Sequence, residues 1–222
     1  MKKASGKKPR ELTAWQVAAV DVVARSALGS KVTFGGGTAL AVAYLHHRPS
    51  EDLDFFSIDE IDQREVAPVA RDLARAGFVV NQQVVGPRRI LVLSRAGKEI
   101  GHLDLSHYPF DPIDRPVPWR GLKVDSLVDM TVNKVQALLT RAKPRDYLDL
   151  FFLLREGPER DLARLLTLVR AKFETGADVL TLAEQFLRVD EVRELPRLFR
   201  PVSLPDMTGF FRRAARSLVR KG

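Results

Sequence analysis

The chain has 222 residues, of which 45% are hydrophobic and 29% charged; this is the balance of one folded domain or two small ones and excludes a disordered chain. No cysteine is present, which removes disulfide staples, thiolate zinc sites, iron–sulfur clusters and cysteine nucleophiles. The net charge of +8 is concentrated at the two ends, in Lys2, Lys3, Lys7, Lys8 and Arg10 and in Arg212, Arg213, Arg216, Arg220 and Lys221, so the interior is slightly acidic and the ends are suited either to a polyanion or to plain solvation.

Residues 1–12 read as a basic disordered tail. They lack the apolar run of a secretory signal, and no stretch of the chain approaches the ~18 apolar residues of a membrane span. A cytoplasmic protein with no membrane partner is expected. Thr13 to about Leu28 reads as a helix, with Thr13 as N-cap and Gly29 as stop. Lys31–Phe34 is a short β-like run leading into three glycines, and Thr38–His46 has helical composition. Asp52–Phe56 alternates acidic and apolar residues as a strand does. Ile61–Arg75 is an amphipathic helix; Phe78–Val85, Ile90–Ser94 and Ile100–His107 are three further strands separated by glycine turns. The segment PFDPIDRPVPW (109–119) holds four prolines, cannot be helical, and reads as an extended crossover. Helices are expected over about 126–142, 145–155, 159–174, 178–188 and 206–220. The fold class is therefore α+β: a mixed sheet with flanking helices over 13–110, a proline-rich crossover over 111–125, and a helical part over 126–222, with a cleft between the two halves.

The stretch FGGGTALAVAYLHHRPSEDLDFF (34–56) carries most of the chemistry. Glycines allow close backbone approach to a bulky ligand, and the helix start that follows presents free N–H groups to phosphate. Asp52 and Asp54 project to one face of their strand, about 7 Å apart at Cα, while Leu53 and Phe55 point into the core. Two carboxylates on one face repel unless a cation sits between them, and Mg²⁺ suits hard oxygen ligands and phosphate together. Asp104, if its strand lies beside that of Asp52, completes a triad of acids; otherwise it is an exposed strand residue. His102 and His107 read as structural. In the helical half, Val128, Val132, Val135, Leu139 and Ala142 form an apolar stripe, and Lys134 lies on the border between that stripe and solvent, able to reach into a cleft. Asp146 and Asp149, three apart, share a helix face.

Gly36-Gly37-Thr38-Ala39-Leu40, then His47-Arg48-x-Ser50-x-Asp52-Leu53-Asp54-Phe55-Phe56, then Lys134-x-x-Ala137-Leu138-x-x-Arg141 and Arg145-Asp146-x-x-Asp149-Leu150 together resemble the motifs of AbiEii/AbiGii-type toxin nucleotidyltransferases, over about residues 34–155. Gly35 and the doubled His46-His47 vary from the usual pattern. The resemblance implies a minimal nucleotidyltransferase fold of the DNA polymerase β type, an NTP substrate (ATP, CTP or GTP among the choices) and two Mg²⁺ ions. It implies the toxin of a toxin–antitoxin or phage-defence system, with tRNA modification at the 3′ end as the reaction and a cognate antitoxin as partner. Carried over by position, Gly36, Gly37 and Thr38, with Arg48 and Ser50, are nucleotide-binding. Asp52, Asp54 and Asp104 are metal ligands, and the catalytic set is Asp52, Asp54, Lys134 and Asp146. Ser50 is also implied as a site of regulatory phosphorylation. The alternatives weighed beside this reading are a small-molecule (antibiotic) or protein nucleotidyltransferase, and a non-catalytic binding module.

Overall fold

The computed structural model of the protein describes residues 12–221; the basic tail expected over 1–12 lies, apart from Leu12, outside the described residues. Helix α1 (Ala14–Arg25) begins at Thr13, whose hydroxyl accepts from the Gln16 backbone while the Gln16 side chain accepts from the Thr13 backbone. This reciprocal cap satisfies donors that a helix start leaves free. A 3₁₀ turn (Ala27–Ser30) leads to strand β1 (Thr33–Gly35). Helix α2 (Gly36–Leu40) continues as a wider π-type turn (Ala41–Leu45) and stops at His46, which adopts a left-handed conformation (φ 49°).

Strands β2 (Leu53–Ser57), β3 (Val79–Val85), β4 (Arg88–Arg95), β5 (Lys98–His107), β6 (Val117–Trp119) and β7 (Leu122–Val124) join β1 in one sheet of order β3-β4-β5-β2-β1-β7-β6. The β2–β5 and β1–β7 pairs are parallel and the others antiparallel, so the sheet is mixed, as expected. The proline-rich segment does more than cross over. A turn at Gly121 (φ 80°) folds it into the β6–β7 hairpin, which extends the sheet beyond β1. Pro118 is tolerated there because β6 is the outermost strand among the described residues and has no second neighbour there needing its N–H.

The two faces of the sheet have different jobs. Phe34, Leu53, Phe55, Leu91, Leu93, Leu103 and Leu105 are fully buried on one face. Helix α1 covers it, with the Trp15 ring so close to Gly101 that a Cβ there would lie 2.3 Å away; α3 (Gln63–Arg75) packs beside α1. On the other face the register sets Gly35 opposite Asp54 and Asp54 beside Asp104, across three adjacent strands. Period-two alternation thus sends the apolar residues one way and the acids the other.

Helix α4 (Leu127–Thr140) covers the acidic face, and α5 (Pro144–Glu156), α6 (Leu162–Phe173), α7 (Val179–Leu187) and α8 (Leu204–Lys221) build outward from it. Helix α5 is buried without a break from Asp146 to Leu154, as befits a helix enclosed between α4 and α8. Helix α4 differs from expectation. Its buried residues are Asp129, Met130, Thr131, Val132, Lys134, Val135 and Leu138, so Lys134 is enclosed rather than on a border with solvent. The cause is that α5, α6 and α7 all pack on α4, which shields more than one stripe.

Candidate active site

Gly36, Gly37, Arg48, Ser50, Asp52, Asp54, Phe56, Lys134, Arg141 and Arg145 line one cavity of about 130 Å³. The strand β1 delivers the glycines and β2 the acids. Gly36 has φ 66°, and a Cβ there would lie 2.0 Å from Asp54 Oδ2; only glycine lets the turn and the carboxylate meet. A Cβ on Gly37 would likewise lie 2.5 Å from Arg48 Nη2. The loop between the π-type turn and β2 is pinned from below by Gln16. This side chain is buried on α1 and donates to the carbonyls of Ser50 at 2.8 Å and Glu51 at 3.1 Å. Thr38 is buried, and its hydroxyl donates to the Asp52 carbonyl. It therefore ties α2 to the start of β2 instead of facing the cavity.

Behind the cavity lies a buried ionic cluster centred on Asp149. Its Oδ1 accepts from His47 Nε2 and Arg48 Nε, both at 2.7 Å; its Oδ2 accepts from Arg48 Nη2 at 2.8 Å and pairs with Lys134 Nζ at 2.7 Å. Burial alone would raise the Asp149 pKa, but Lys134, Arg48 and His47 override it and hold the carboxyl well below its ordinary value. Burial lowers the His47 pKa, so at neutral pH this ring donates as a neutral imidazole. Asp146, fully buried, accepts from Lys134 Nζ at 2.9 Å and from Arg141 at 3.0 and 3.1 Å. Three cations (Arg48, Lys134 and Arg141) thus face two carboxylates (Asp146 and Asp149), leaving one positive charge beside the cavity.

The acids of the cavity are handled differently. Asp52 lies 3.5 Å from His102 Nε2 and 3.6 Å from Arg145 Nη1. Among the described residues no group donates a hydrogen bond to the Asp54 side chain, and burial, then the carboxylates of Asp104 and Asp52, push its pKa up to about 6. Such a pair of carboxylates, one of them without a donor, fits a divalent cation with hard oxygen ligands. Asp104 stands beside Asp54 in register, but Arg88 forms an ion pair with it and Ser106 Oγ donates to it at 2.7 Å. Among the described residues no three His, Asp or Glu side chains are gathered into a group able to hold a metal ion, so the expected triad with Asp104 is not assembled in this arrangement.

Of the residues expected from sequence, the structure brings Gly36, Gly37, Arg48, Ser50, Asp52, Asp54 and Lys134 to one cavity. It puts Thr38 and Asp146 behind the wall and gives Asp104 an arginine partner. Sequence reasoning missed the central place of Asp149, the support from Gln16 and His47, and the cavity-lining Arg141 and Arg145. Arg141, Arg145, His47 and Asp149 all fall inside the motifs; Gln16 carries only the Thr13-x-x-Gln16 capping pattern, which gives no hint of its hold on the loop.

Two substitutions separate the two kinds of acid. Asp149→Asn removes the partner of two buried cations and should lower unfolding free energy by about 3 kcal/mol, measured by urea denaturation at pH 7.5. Asp54 behaves oppositely. Its pKa is raised in the fold, so stability is lost as pH rises from its unfolded value through about 6. Asp54→Asn should therefore stabilise the metal-free protein by about 2 kcal/mol at pH 7.5 and by almost nothing at pH 4, seen as a rise in Tm at the higher pH alone.

A family model described as "Nucleotidyl transferase AbiEii toxin, Type IV TA system" matches residues 20–218. No curated protein matches the chain. Among solved structures, JHP933 from Helicobacter pylori superposes with a TM-score of 0.59 at 21% identity, covering 93% of this chain and 90% of that one. A candidate nucleotidyltransferase from H. pylori gives a TM-score of 0.58 at 22% identity, with 93% and 92% covered. At such identities the likeness concerns the fold, a mixed sheet with flanking helices and a helical C-terminal part. The family match spans the glycine turn, the paired acids, Lys134 and Asp149, and the chain belongs to the AbiEii family of nucleotidyltransferase toxins.

Proposed function

We propose that this nucleotidyltransferase moves a nucleoside monophosphate from an NTP to the 3′ end of an RNA, with tRNA as acceptor, in a Mg²⁺-dependent reaction in the cytoplasm. The observation that supports it is the single cavity in which the Gly36-Gly37 turn, Asp52, Asp54 and four cationic side chains meet. The glycine turn and the first turn of α2 would cradle the triphosphate. The hydroxyl oxygen of the acceptor bonds to the α-phosphorus, and the bond from that phosphorus to the bridging oxygen breaks. Pyrophosphate leaves with the electron pair, and the hydroxyl proton passes to a carboxylate oxygen of the Asp52/Asp54 pair. Divalent cations on Asp52 and Asp54 would supply charge stabilisation at the attacking and leaving oxygens; Asp104 would join them only by giving up Arg88. Lys134, Arg141 and Arg145 offset the charge that develops on pyrophosphate. Asp149 and Asp146 act as positioning groups that fix Lys134, Arg48 and Arg141.

An RNA acceptor accords with charge. The cavity lining carries Arg48, Lys134, Arg141 and Arg145 against Asp52 and Asp54; Asp146 and Asp149 behind it offset two of these cations, so the pocket is near neutral by itself and would favour anions once divalent cations sit on Asp52 and Asp54. Helix α8 buries Met207, Phe211, Ala215 and Leu218 and turns Arg213, Arg216 and Arg220 to solvent, a face suited to a phosphate backbone. No described helix is long and apolar enough to cross a membrane. Incubation with each α-labelled NTP and total RNA should label a small RNA, and Asp52→Ala should abolish labelling while leaving the thermal unfolding transition in place. Labelling retained by folded Asp52→Ala would overturn the assignment.

Ser50 shares the cavity wall with Gly37 and Arg48, and we propose it as the point at which the cognate antitoxin silences the enzyme by phosphorylation. A phosphate there adds about −1.5 to −2 charge where the triphosphate would lie. Ser50→Glu should cut transfer at least tenfold with the same Tm; full activity would remove the switch.

A further inference from the structure

Beyond the acids, the same strand face carries an aromatic ring. Phe56 lies two residues past Asp54 and lines the cavity. Its ring centroid is 5.0 Å from that of Tyr108. The Tyr108 hydroxyl donates to Asn133 Oδ1 at 3.3 Å, and Asn133 Nδ2 donates to Asp125 Oδ2 at 3.4 Å. Asp125, directly after β7, comes back toward the glycine turn. A Cβ on Gly35 would lie 2.6 Å from the Phe56 ring and 2.9 Å from Asp125 Oδ2. Ring and carboxylate therefore converge on the residue just before Gly36-Gly37. All four side chains are half-buried; Phe56 lines the cavity, while Tyr108, Asn133 and Asp125 adjoin it without being part of its lining.

Asp125 is the ill-served carboxylate of this region. Its neighbour Asp129 accepts from the Ile113 and Asp114 backbones, Ser126 and Lys172 at 2.7–3.0 Å. Asp125 has one long side-chain bond from Asn133, and burial pushes its pKa up to about 6, with nearby Lys172 opposing the rise and the Asp129 carboxylate adding to it. A sheltered carboxylate with so little compensation is a ready acceptor for an outside donor. An aromatic face beside an acceptor is the pairing that a nucleobase requires, one for its π-surface and one for its polar edge.

We propose that Phe56 and Asp125, with Tyr108 and Asn133 holding Asp125, form the subsite for the base of the incoming nucleotide: Phe56 stacks on the base and Asp125 accepts a hydrogen bond from its edge. The subsite rests on the nucleotidyl-transfer reading, since it lies one ribose length beyond Asp54 along β2, about 7 Å between Cα atoms. It makes Asp125 a determinant of which base is preferred, because an acceptor at that point rewards bases presenting an amino or imino donor and penalises a carbonyl.

The test is equilibrium binding of the full chain to non-hydrolysable analogues of the four NTPs and to inorganic tripolyphosphate. The unsubstituted protein should bind its preferred analogue roughly tenfold tighter than tripolyphosphate. Phe56→Ala should erase that advantage without changing tripolyphosphate affinity, and Asp125→Asn should reorder the four analogues. Equal weakening toward tripolyphosphate and nucleotides, or an unchanged order in Asp125→Asn with unchanged affinity in Phe56→Ala, would overturn the subsite while leaving nucleotidyl transfer intact. Failure of the unsubstituted protein to bind either tripolyphosphate or any analogue would instead sink the nucleotidyl-transfer reading, and the subsite with it.

Discussion

One buried carboxylate holds the catalytic half of this molecule to its helical half. Asp149 sits at the centre of α5, yet its partners come from the 46–52 loop and from α4. A charge so enclosed is tolerated only because four donors surround it, and removing any one leaves it less compensated in a site that water does not reach. The same contacts decide where Arg48 meets Gly37 and where Lys134 meets the acids. His47 extends the linkage: its carbonyl accepts from Phe199 and Arg200, and its ring packs edge-on against Phe152. The segment leading to α8 is thereby tied to the loop that carries Ser50.

Against this satisfied cluster stands an unsatisfied one. Asp52, Asp54 and Asp125 ring the glycine turn with few donors, and burial raises the pKa of the last two. Structural acids in this protein, such as Asp129 and Asp149, are wrapped in hydrogen bonds. The contrast separates acids that hold the fold from acids left with few donors, which cost stability in the protein as it stands and are the ones the proposed function assigns to cations and nucleotide.

Much of the site was legible because its chemistry needs neighbours in sequence. The turn must be glycine where Gly36 meets Asp54, and period-two alternation forces Asp52 and Asp54 onto the face opposite Leu53 and Phe55. Lys134 stood out through helical spacing and motif order, whereas Arg141 and Asp149 lay inside the same motifs with nothing local to mark their roles. Asp146 shares the Asp149 face and, like Asp149, pairs with Lys134; the structure places both behind the cavity wall, with Asp146 also held by Arg141.

The local pattern of residues thus settled the elements, the glycine turn and the paired acids, since these depend on interactions a few positions apart. Which carboxylate would gather Arg48 and Lys134, and that Arg88 would reach Asp104, were decided by packing. Those contacts join residues from 15 to more than 100 positions apart, and the sheet order and helix crossings that bring them together leave no periodic trace along the chain. Burial, which tunes Asp54 and Asp125, likewise exists only once the helical half has closed over the sheet.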